Sequence, residues 1–145
     1  MSKEPAFWDA SALVPLCVHE NASRQAQLHL PRSLPVVWWA SSIELHSAVA
    51  RLHRQGKLKE VEKNGALARL EVLSRAWREI LPSDSLRDLA RQLLDTYELR
   101  AADSLQLAAA LTWCQHRPAR RSFFSADQRL SKYATAAGFS VIALC

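Results

Sequence analysis

The chain has 145 residues, of which 49% are hydrophobic and only three are glycine, a composition that excludes a disordered or fibrous protein. Nineteen lysines and arginines oppose fourteen aspartates and glutamates, and the resulting formal charge of +5 favours a polyanionic partner. No hydrophobic run approaches the length needed to cross a bilayer, so we expect a soluble protein with no membrane association, folded as one domain over residues 1–145.

The cysteines and the N-terminal residues bear on the cellular location. Cys17, Cys114 and Cys145 are odd in number, far apart and without C-x-x-C spacing, so they fit neither a disulfide framework nor a zinc site. The first residues, Met1–Pro5, lack the hydrophobic stretch of a signal peptide. Both features predict reduced thiols in a cytoplasmic protein.

Five short hydrophobic runs, rich in aromatic or branched residues, predict buried strands. Long segments with helical spacing separate them, and Gly138 stands where a left-handed helix end is expected. Strands that alternate with helices imply a three-layer α/β/α fold with a mostly parallel central sheet of about five strands. The predicted strands are Ala6–Trp8, Val36–Trp39, Arg78–Leu81, Ser122–Phe124 and Phe139–Leu144.

Seven helices are predicted between and after these strands, and the leucines of the fifth form the amphipathic stripe of a surface helix. Asn64-Gly65 predicts a break that divides the fourth segment into two helices. The predicted segments are Ser11–Val18, Ser23–Leu30, Ser41–Arg54, Leu58–Trp77, Ser85–Tyr97, Ala102–His116 and Gln128–Ala137.

Four acidic residues stand at strand ends or helix starts. Asp9 follows the first strand, Asp127 follows the fourth, Glu44 lies in the helix after the second, and Asp103 opens the alanine-rich helix. Because such positions converge on one crevice in an open α/β sheet, we expect the four side chains to meet. Carboxylates in one crevice repel each other unless a cation compensates, and oxygen ligands suit Mg²⁺ or Mn²⁺. The pattern therefore predicts a metal-dependent site.

Each acid also has a purely local interpretation. Asp9 and Asp127 can cap the helices that they precede. Ser41 and Glu44 match the S-x-x-E capping box, in which the glutamate accepts from the N–H of the cap residue. Asp103 would be stabilised in a first turn by the helix dipole. Capping and metal binding do not exclude one another, because both place the side chain beside the crevice.

Neighbouring polar residues extend the predicted site. Ser11 can cap the first helix or orient Asp9 or a bound water. Arg100 and Arg129, each beside an acid in sequence, are placed to meet a phosphate. None of the five histidines has the spacing of a metal ligand.

Several segments together resemble the PIN-domain family and, within it, the VapC-type toxins of prokaryotic toxin–antitoxin pairs. The similarity extends over nearly the whole chain, and its most specific parts are the D-x-S-A-L start at Asp9 and the R-x-x-D-x-x-x-L-A stretch from Arg100. The segments that carry it are Phe7–Val14, the Glu44 helix, Leu99–Ala108, Ser125–Leu130 and Ala137–Phe139.

The resemblance implies an Mg²⁺- or Mn²⁺-dependent endoribonuclease that forms a homodimer and is inhibited by a cognate antitoxin. The acidic set of the family falls on Asp9, Glu44, Asp103 and Asp127, and polar positions near the metal fall on Ser11 and Ser125. On this view Asp9 and Asp103 are direct ligands, whereas Glu44 and Asp127 hold metal-bound water or a second ion. The chain departs from the family pattern at Ala10, where threonine is frequent, at Gln106, where histidine is often seen, and at Pro15, which interrupts the first helix.

Other classes of protein fit less well. A haloacid-dehalogenase-like phosphatase needs a second aspartate where this chain has Ser11, and a receiver domain needs an adjacent acid pair and a late lysine. A non-catalytic PIN-like module that only binds RNA or an antitoxin is the alternative that stays open.

Overall fold

The computed structural model describes residues 2–145, and within them strands and helices alternate along the chain. The strands are β1 (Glu4–Trp8), β2 (Ser33–Trp38), β3 (Arg78–Ile80), β4 (Ser122–Ser125) and β5 (Ser140–Ala143). The α-helices are α1 (Ala10–Cys17), α2 (Ser23–His29), α3 (Ser41–Arg54), α4 (Glu60–Ala76), α5 (Asp84–Thr96), α6 (Ala101–Trp113) and α7 (Gln128–Ala137), and a 3-10 turn spans Leu30–Arg32.

The five strands form one parallel sheet in the order β3-β2-β1-β4-β5. The chain begins in the centre with β1, moves outward through β2 and β3, and then crosses to the other side of β1 to form β4 and β5. The carboxyl ends of β1 and β4 therefore flank the point at which the strand order reverses, which is where open α/β sheets place their crevice.

Alternating side chains of the strands give the sheet two buried faces. On one face Trp8 stacks on Phe124, with ring centroids 4.3 Å apart, and this layer packs against α1 to α4. On the other face Phe7 stacks on Phe123, with centroids 5.2 Å apart, and packs against α5 to α7. Each buried aromatic side chain contributes roughly 1.5–3 kcal/mol of hydrophobic free energy. Helices on both faces of a parallel sheet make the three layers that the sequence predicts.

The break expected at Asn64-Gly65 is wrong, since α4 runs unbroken from Glu60 to Ala76. A glycine inside a helix costs about 1 kcal/mol relative to alanine. Ala66 and Leu70 of the same helix are buried in the core, and Arg69 Nε donates to the carbonyl oxygen of Cys17 at 2.8 Å. This packing against α1 outweighs the propensity of one residue.

Strand ends also differ from the expected bounds by up to three residues. β1 and β2 begin earlier than predicted because Glu4 pairs with Ser33, which extends the ladder through polar residues. Trp39 lies outside β2 and is 46% exposed, whereas Trp38 is buried in the core. Gly138 ends α7 with φ at 114°, as predicted for a left-handed helix end.

All three cysteine thiols are free, with Cys17 and Cys114 buried and Cys145 exposed. Among the described residues, no helix combines the length and the apolar character that crossing a membrane requires.

Candidate active site

The carboxyl ends of β1 and β4 bring two of the predicted acids together. Asp9 directly follows β1, and Asp127 follows β4 after one intervening residue. The backbone N–H of Asp9 donates to the carbonyl oxygen of Phe124 at 3.1 Å, which continues the β1–β4 pairing up to the site. The sheet topology therefore places these two acids side by side although 118 residues separate them in sequence.

Asp9 is buried, with 1% of its surface exposed, and both of its carboxylate oxygens accept hydrogen bonds. Oδ1 accepts from Ser11 Oγ at 2.7 Å and from the backbone N–H of Ala12 at 2.9 Å. Oδ2 accepts from Ser125 Oγ at 2.5 Å. Asp9 thus caps α1, and Ser11 orients Asp9 instead of capping the helix itself.

The two serines connect the ends of the central strands. Ser11 Oγ accepts from the N–H of Ala126 at 2.9 Å and lies 3.3 Å from Ser125 Oγ. Ser125 Oγ accepts from the N–H of Asp127 at 3.1 Å. Ser11 and Ser125, predicted as polar positions near the metal, hold the side chain of Asp9 and the backbone of the Asp127 loop in place.

Burial of Asp9 raises the pKa of its carboxyl from 3.8 to about 7. The hydrogen bonds from Ser125, Ser11 and the Ala12 N–H lower this pKa, because they stabilise the anion, and the charge of Asp127 raises it. Desolvation prevails, so the anion of Asp9 is unfavourable at neutral pH without a compensating cation.

Glu44 is half-buried and does not form the capping box that Ser41 and Glu44 predict. The cap of α3 is Ala40, which has no side chain to bond to the helix. Glu44 Oε2 instead accepts from Gln106 Nε2 of α6 at 2.6 Å. Burial raises the pKa of Glu44, the Gln106 hydrogen bond lowers it, and the charge of Asp103 raises it. Glu44 therefore bonds to Gln106, 62 positions away in sequence, instead of to the start of its own helix as the S-x-x-E motif predicts.

Asp103 lies in the first turn of α6 and Asp127 caps α7 by accepting from the N–H of Leu130 at 2.9 Å. Burial and then the charge of Asp127 raise the pKa of Asp103, while the charges of Arg100 and Arg129 lower it. The two exposed arginines line a cavity of about 170 Å³ together with both acids. The arginines predicted to meet a phosphate therefore border the acids directly.

Charge repulsion connects the four acids: the charge of Asp127 raises the pKa of Asp9 and of Asp103, and the charge of Asp103 raises the pKa of Glu44. Within residues 2–145, Glu44 Oε1, both oxygens of Asp103 and Asp127 Oδ2 accept no hydrogen bond and form no ion pair. In the same residues no three acidic, histidine or cysteine side chains stand close enough together to hold a metal ion as they lie. The crevice therefore contains several negative charges and free carboxylate oxygens, but these oxygens are not arranged around a single position that an ion could occupy.

Gln106 and Ser41 are site residues whose contacts the sequence did not predict. Gln106 is 2% exposed, Ser41 is fully buried, and Gln106 Nε2 also donates to Ser41 Oγ at 3.1 Å. The sequence did contain one indication of this contact, because a glutamine within an otherwise apolar helix becomes buried and a buried amide needs a polar partner.

Beside the crevice, a larger cavity of about 710 Å³ extends from Ser125 and Asp127 to the C-terminal residues.

The fold is similar to two solved structures at low sequence identity. One is a toxin–antitoxin complex from Klebsiella pneumoniae, with a TM-score of 0.60, 17% identity, and coverage of 86% of this chain and 88% of that chain. The other is PAE2754 from Pyrobaculum aerophilum, with a TM-score of 0.65, 18% identity, and coverage of 99% of this chain and 90% of that chain. No protein-family model and no curated protein sequence matches the chain. The three-layer α/β/α architecture with a parallel central sheet, predicted from the sequence, is confirmed.

Proposed function

We propose that this chain is a VapC-type toxin of the PIN-domain family, an endoribonuclease that depends on Mg²⁺ or Mn²⁺ and hydrolyses RNA phosphodiester bonds. The observation that carries the proposal is the chain of four coupled carboxylates at the strand-order reversal of a parallel sheet. A toxin–antitoxin complex is among the solved structures with a similar fold, and this likeness supports the toxin assignment. RNA is the substrate, and a cognate antitoxin is the protein partner.

The donor set of the crevice fits a hard divalent cation. All its candidate ligands are oxygens, and burial raises the pKa of Asp9, Glu44 and Asp103, so that added positive charge would stabilise their anions. Asp9 and Asp103 would hold the ion directly, and the free oxygens of Glu44 and Asp127 would hold a water beside it or a second ion. A carboxylate offers about four lone-pair sites. Asp9 accepts three hydrogen bonds and therefore retains one lone pair for the ion. The ion would supply the positive charge that lowers the pKa of a water and stabilises the leaving oxygen.

The protein side chains divide the remaining tasks. Ser11 and Ser125 keep Asp9 in one rotamer, so that its carboxylate needs no reorganisation when substrate binds. Arg100 and Arg129 supply guanidinium groups to the phosphates of the RNA. Attack by water in line with the leaving group would give a 5′-phosphate and a 3′-hydroxyl.

The purified chain is expected to cleave RNA when Mg²⁺ or Mn²⁺ is added and not in EDTA. The ends of the products should be read by phosphatase sensitivity and ligation, which distinguish a 5′-phosphate from a 5′-hydroxyl. Expression without an antitoxin is expected to arrest growth. Full cleavage in EDTA, or 2′,3′-cyclic phosphate ends, would contradict the proposal, because those ends arise from attack by the 2′-hydroxyl of the RNA.

A non-catalytic PIN-like module that binds RNA or an antitoxin is the second candidate. One observation favours it: within residues 2–145, no three metal-binding side chains stand in ligand geometry. Such a module would bind RNA in EDTA and would show no turnover in Mg²⁺, Mn²⁺ or EDTA. The cleavage assay therefore separates the two candidates.

Replacing Arg100 or Arg129 by alanine is expected to weaken RNA binding and to leave the metal dependence of cleavage unchanged. Each guanidinium that contacts a phosphate releases counterions, so each loss should reduce the slope of log affinity against log salt by about 1. The measurement is a salt series of RNA binding in EDTA. Arg75→Ala is the matched control, because Arg75 is exposed on α4 and pairs with Glu71 of the same helix, away from the four acids in sequence. An unchanged salt slope in both crevice variants would show that these arginines do not contact the RNA.

We also propose a homodimer formed through the early helices and α4. The outer surface of these helices exposes hydrophobic side chains, with Leu28 66%, Val61 81% and Val72 64% exposed. Most soluble oligomers are symmetric dimers that bury such patches. Light scattering at micromolar concentrations should give the mass of two chains, and Val61→Lys with Val72→Lys should give one. A monomer mass for the unmodified chain would contradict this arrangement.

A further inference from the structure

Gln106 connects the two helices that lie on opposite faces of the sheet. It projects from α6, where it is 2% exposed among alanines and leucines, to the first turn of α3. Its Nε2 donates to Glu44 Oε2 at 2.6 Å and to Ser41 Oγ at 3.1 Å. Within residues 2–145 its other amide atom, Oε1, is buried without a hydrogen-bond partner.

The orientation of this amide is determined by Glu44. An amide nitrogen carries two hydrogens, and both are used by the two acceptors on α3. The opposite orientation would turn Oε1 toward the Glu44 carboxylate, and two acceptors would then face each other. In the fold of residues 2–145, Oε1 of Gln106 is unpaired and both N–H groups donate to α3. This arrangement is expected only if the hydrogen bond to Glu44 stabilises the fold more than a hydrogen bond to Oε1 would.

Glu44 also does not form the capping hydrogen bond that its sequence motif favours. An S-x-x-E sequence normally returns the glutamate to the backbone at the start of its own helix. Here that bond is not made, and α3 begins without any side-chain cap. Gln106 therefore directs Glu44 away from its own helix start, with Oε1 of Glu44 left free of hydrogen bonds within residues 2–145.

We propose that Gln106 is a positioning residue that fixes the Glu44 carboxylate in the crevice, so that one oxygen is restrained and the other is available to a divalent cation. The restraint follows from the hydrogen bonds alone, whereas its effect on turnover rests on the function proposed above. Outer partners that orient metal-ligating carboxylates typically change metal affinity or activity by about 10- to 100-fold when they are removed. Because Gln106 is buried, it does not itself touch RNA.

The test compares Gln106→Leu, which keeps the size of the side chain and removes the amide, with Gln106→His, which restores one N–H donor. For Gln106→Leu we expect about a tenfold lower Mg²⁺ affinity and a kcat lower by a similar factor, with KM for RNA unchanged. Gln106→His should recover part of both losses. Gln92→Leu is the matched control, since Gln92 is exposed on α5 and its side chain makes no hydrogen bond within residues 2–145.

A double-mutant cycle separates positioning from a general loss of stability. If Gln106 acts through Glu44, Gln106→Leu should have no further effect on kcat in a Glu44→Gln background. Independent effects of the two changes, or an unaltered Mg²⁺ affinity in Gln106→Leu, would overturn the proposal.

A third measurement needs neither RNA, nor metal, nor a variant at Gln106. In the NMR spectrum of the metal-free protein, the side-chain amide protons of Gln106 should be shifted by the carboxylate and should move in Glu44→Ala. Amide resonances that do not respond to Glu44→Ala would overturn the restraint itself. A wild-type protein that neither binds Mg²⁺ nor cleaves RNA would instead refute the proposed function, and the NMR result would still decide the role of Gln106.

Discussion

Asp9→Asn is expected to reduce RNA cleavage by at least about a thousandfold, because removing a carboxylate that would hold the cation removes nucleophile activation and charge stabilisation together. Growth arrest on expression should disappear with it. Asparagine has almost the same shape as aspartate, so the loss would be chemical and not a consequence of unfolding.

The hydrogen bonds around Asp9 can be kept in this variant. The amide oxygen can accept from Ser11 Oγ and from the N–H of Ala12, as Oδ1 does now. The amide nitrogen would donate to Ser125 Oγ, which must then turn its own hydrogen toward the carbonyl oxygen of Asp127, 3.3 Å away. Ser11, Ala12 and Ser125 therefore all keep a hydrogen bond to residue 9, and one of the two hydrogens of the amide nitrogen stays unpaired.

Asp88→Asn is the matched control, since Asp88 is exposed on α5 and makes no side-chain hydrogen bond within the described residues. It should cleave RNA as the unmodified chain does. Cleavage or toxicity retained by Asp9→Asn would show that the carboxylate of Asp9 is not part of the active site.

The metal-free protein is expected to lose stability as the pH rises from about 4 to about 7. The pKa of Asp9 is 3.8 in its ordinary state and about 7 in the fold. Below both values the carboxyl is protonated in the folded and the unfolded chain, and it does not affect stability. Between them the folded chain binds the proton that the unfolded chain releases, so the free energy of unfolding falls with rising pH. Above pH 7 the loss is complete.

The size of this effect follows from the two pKa values. A tenfold difference in proton affinity corresponds to about 1.4 kcal/mol, so Asp9 alone destabilises the fold by roughly 4 kcal/mol at pH 8. Glu44 and Asp103 have raised pKa values and act in the same direction. Urea unfolding in EDTA between pH 4 and 8 measures the change, and Asp9→Asn should remove most of it.

Saturating Mg²⁺ should oppose the loss of stability at high pH, because a ligand that binds only the folded chain stabilises it by mass action. Asp9→Asn should then be more stable than the unmodified chain in EDTA at pH 8 and respond less to Mg²⁺. A flat pH profile for the unmodified chain, or an equal Mg²⁺ response in both proteins, would contradict the account of a charged, uncompensated crevice.

Much of the fold could be predicted because its signals are local. Hydrophobic runs that alternate with helical spacing indicate a covered parallel sheet, and every predicted strand and helical segment is present. Most have shifted ends, α3 and α7 have the predicted bounds, and the fourth segment forms one helix instead of two. The capping roles of Asp9 and Asp127 were predictable for the same reason, since a cap depends only on the residue before a helix and the backbone after it. The bounds of β1 and β2 were less predictable, because polar Glu4 and Ser33 become strand only by pairing with each other.

The expected break in α4 and the expected capping box of Glu44 failed because both were inferred from residues close in sequence. Burial of Ala66 and Leu70 against α1 keeps α4 continuous through Gly65, and Gln106 draws Glu44 away from the start of α3. Each local preference amounts to about 1 kcal/mol, which a few tertiary contacts exceed.

The sequence by itself determined the order of the elements and the position of each acid at a strand end or helix start. The reason is that hydrophobic periodicity and helix capping depend on residues that are neighbours in sequence. Only the tertiary structure decided how the acids are held. The β1–β4 pairing brings Ser125 to Asp9, and the approach of α6 to α3 brings Gln106 to Glu44. These two hydrogen bonds join residues that are 62 and 116 positions apart in sequence. They depend on how the whole sheet packs, and no local sequence pattern encodes them.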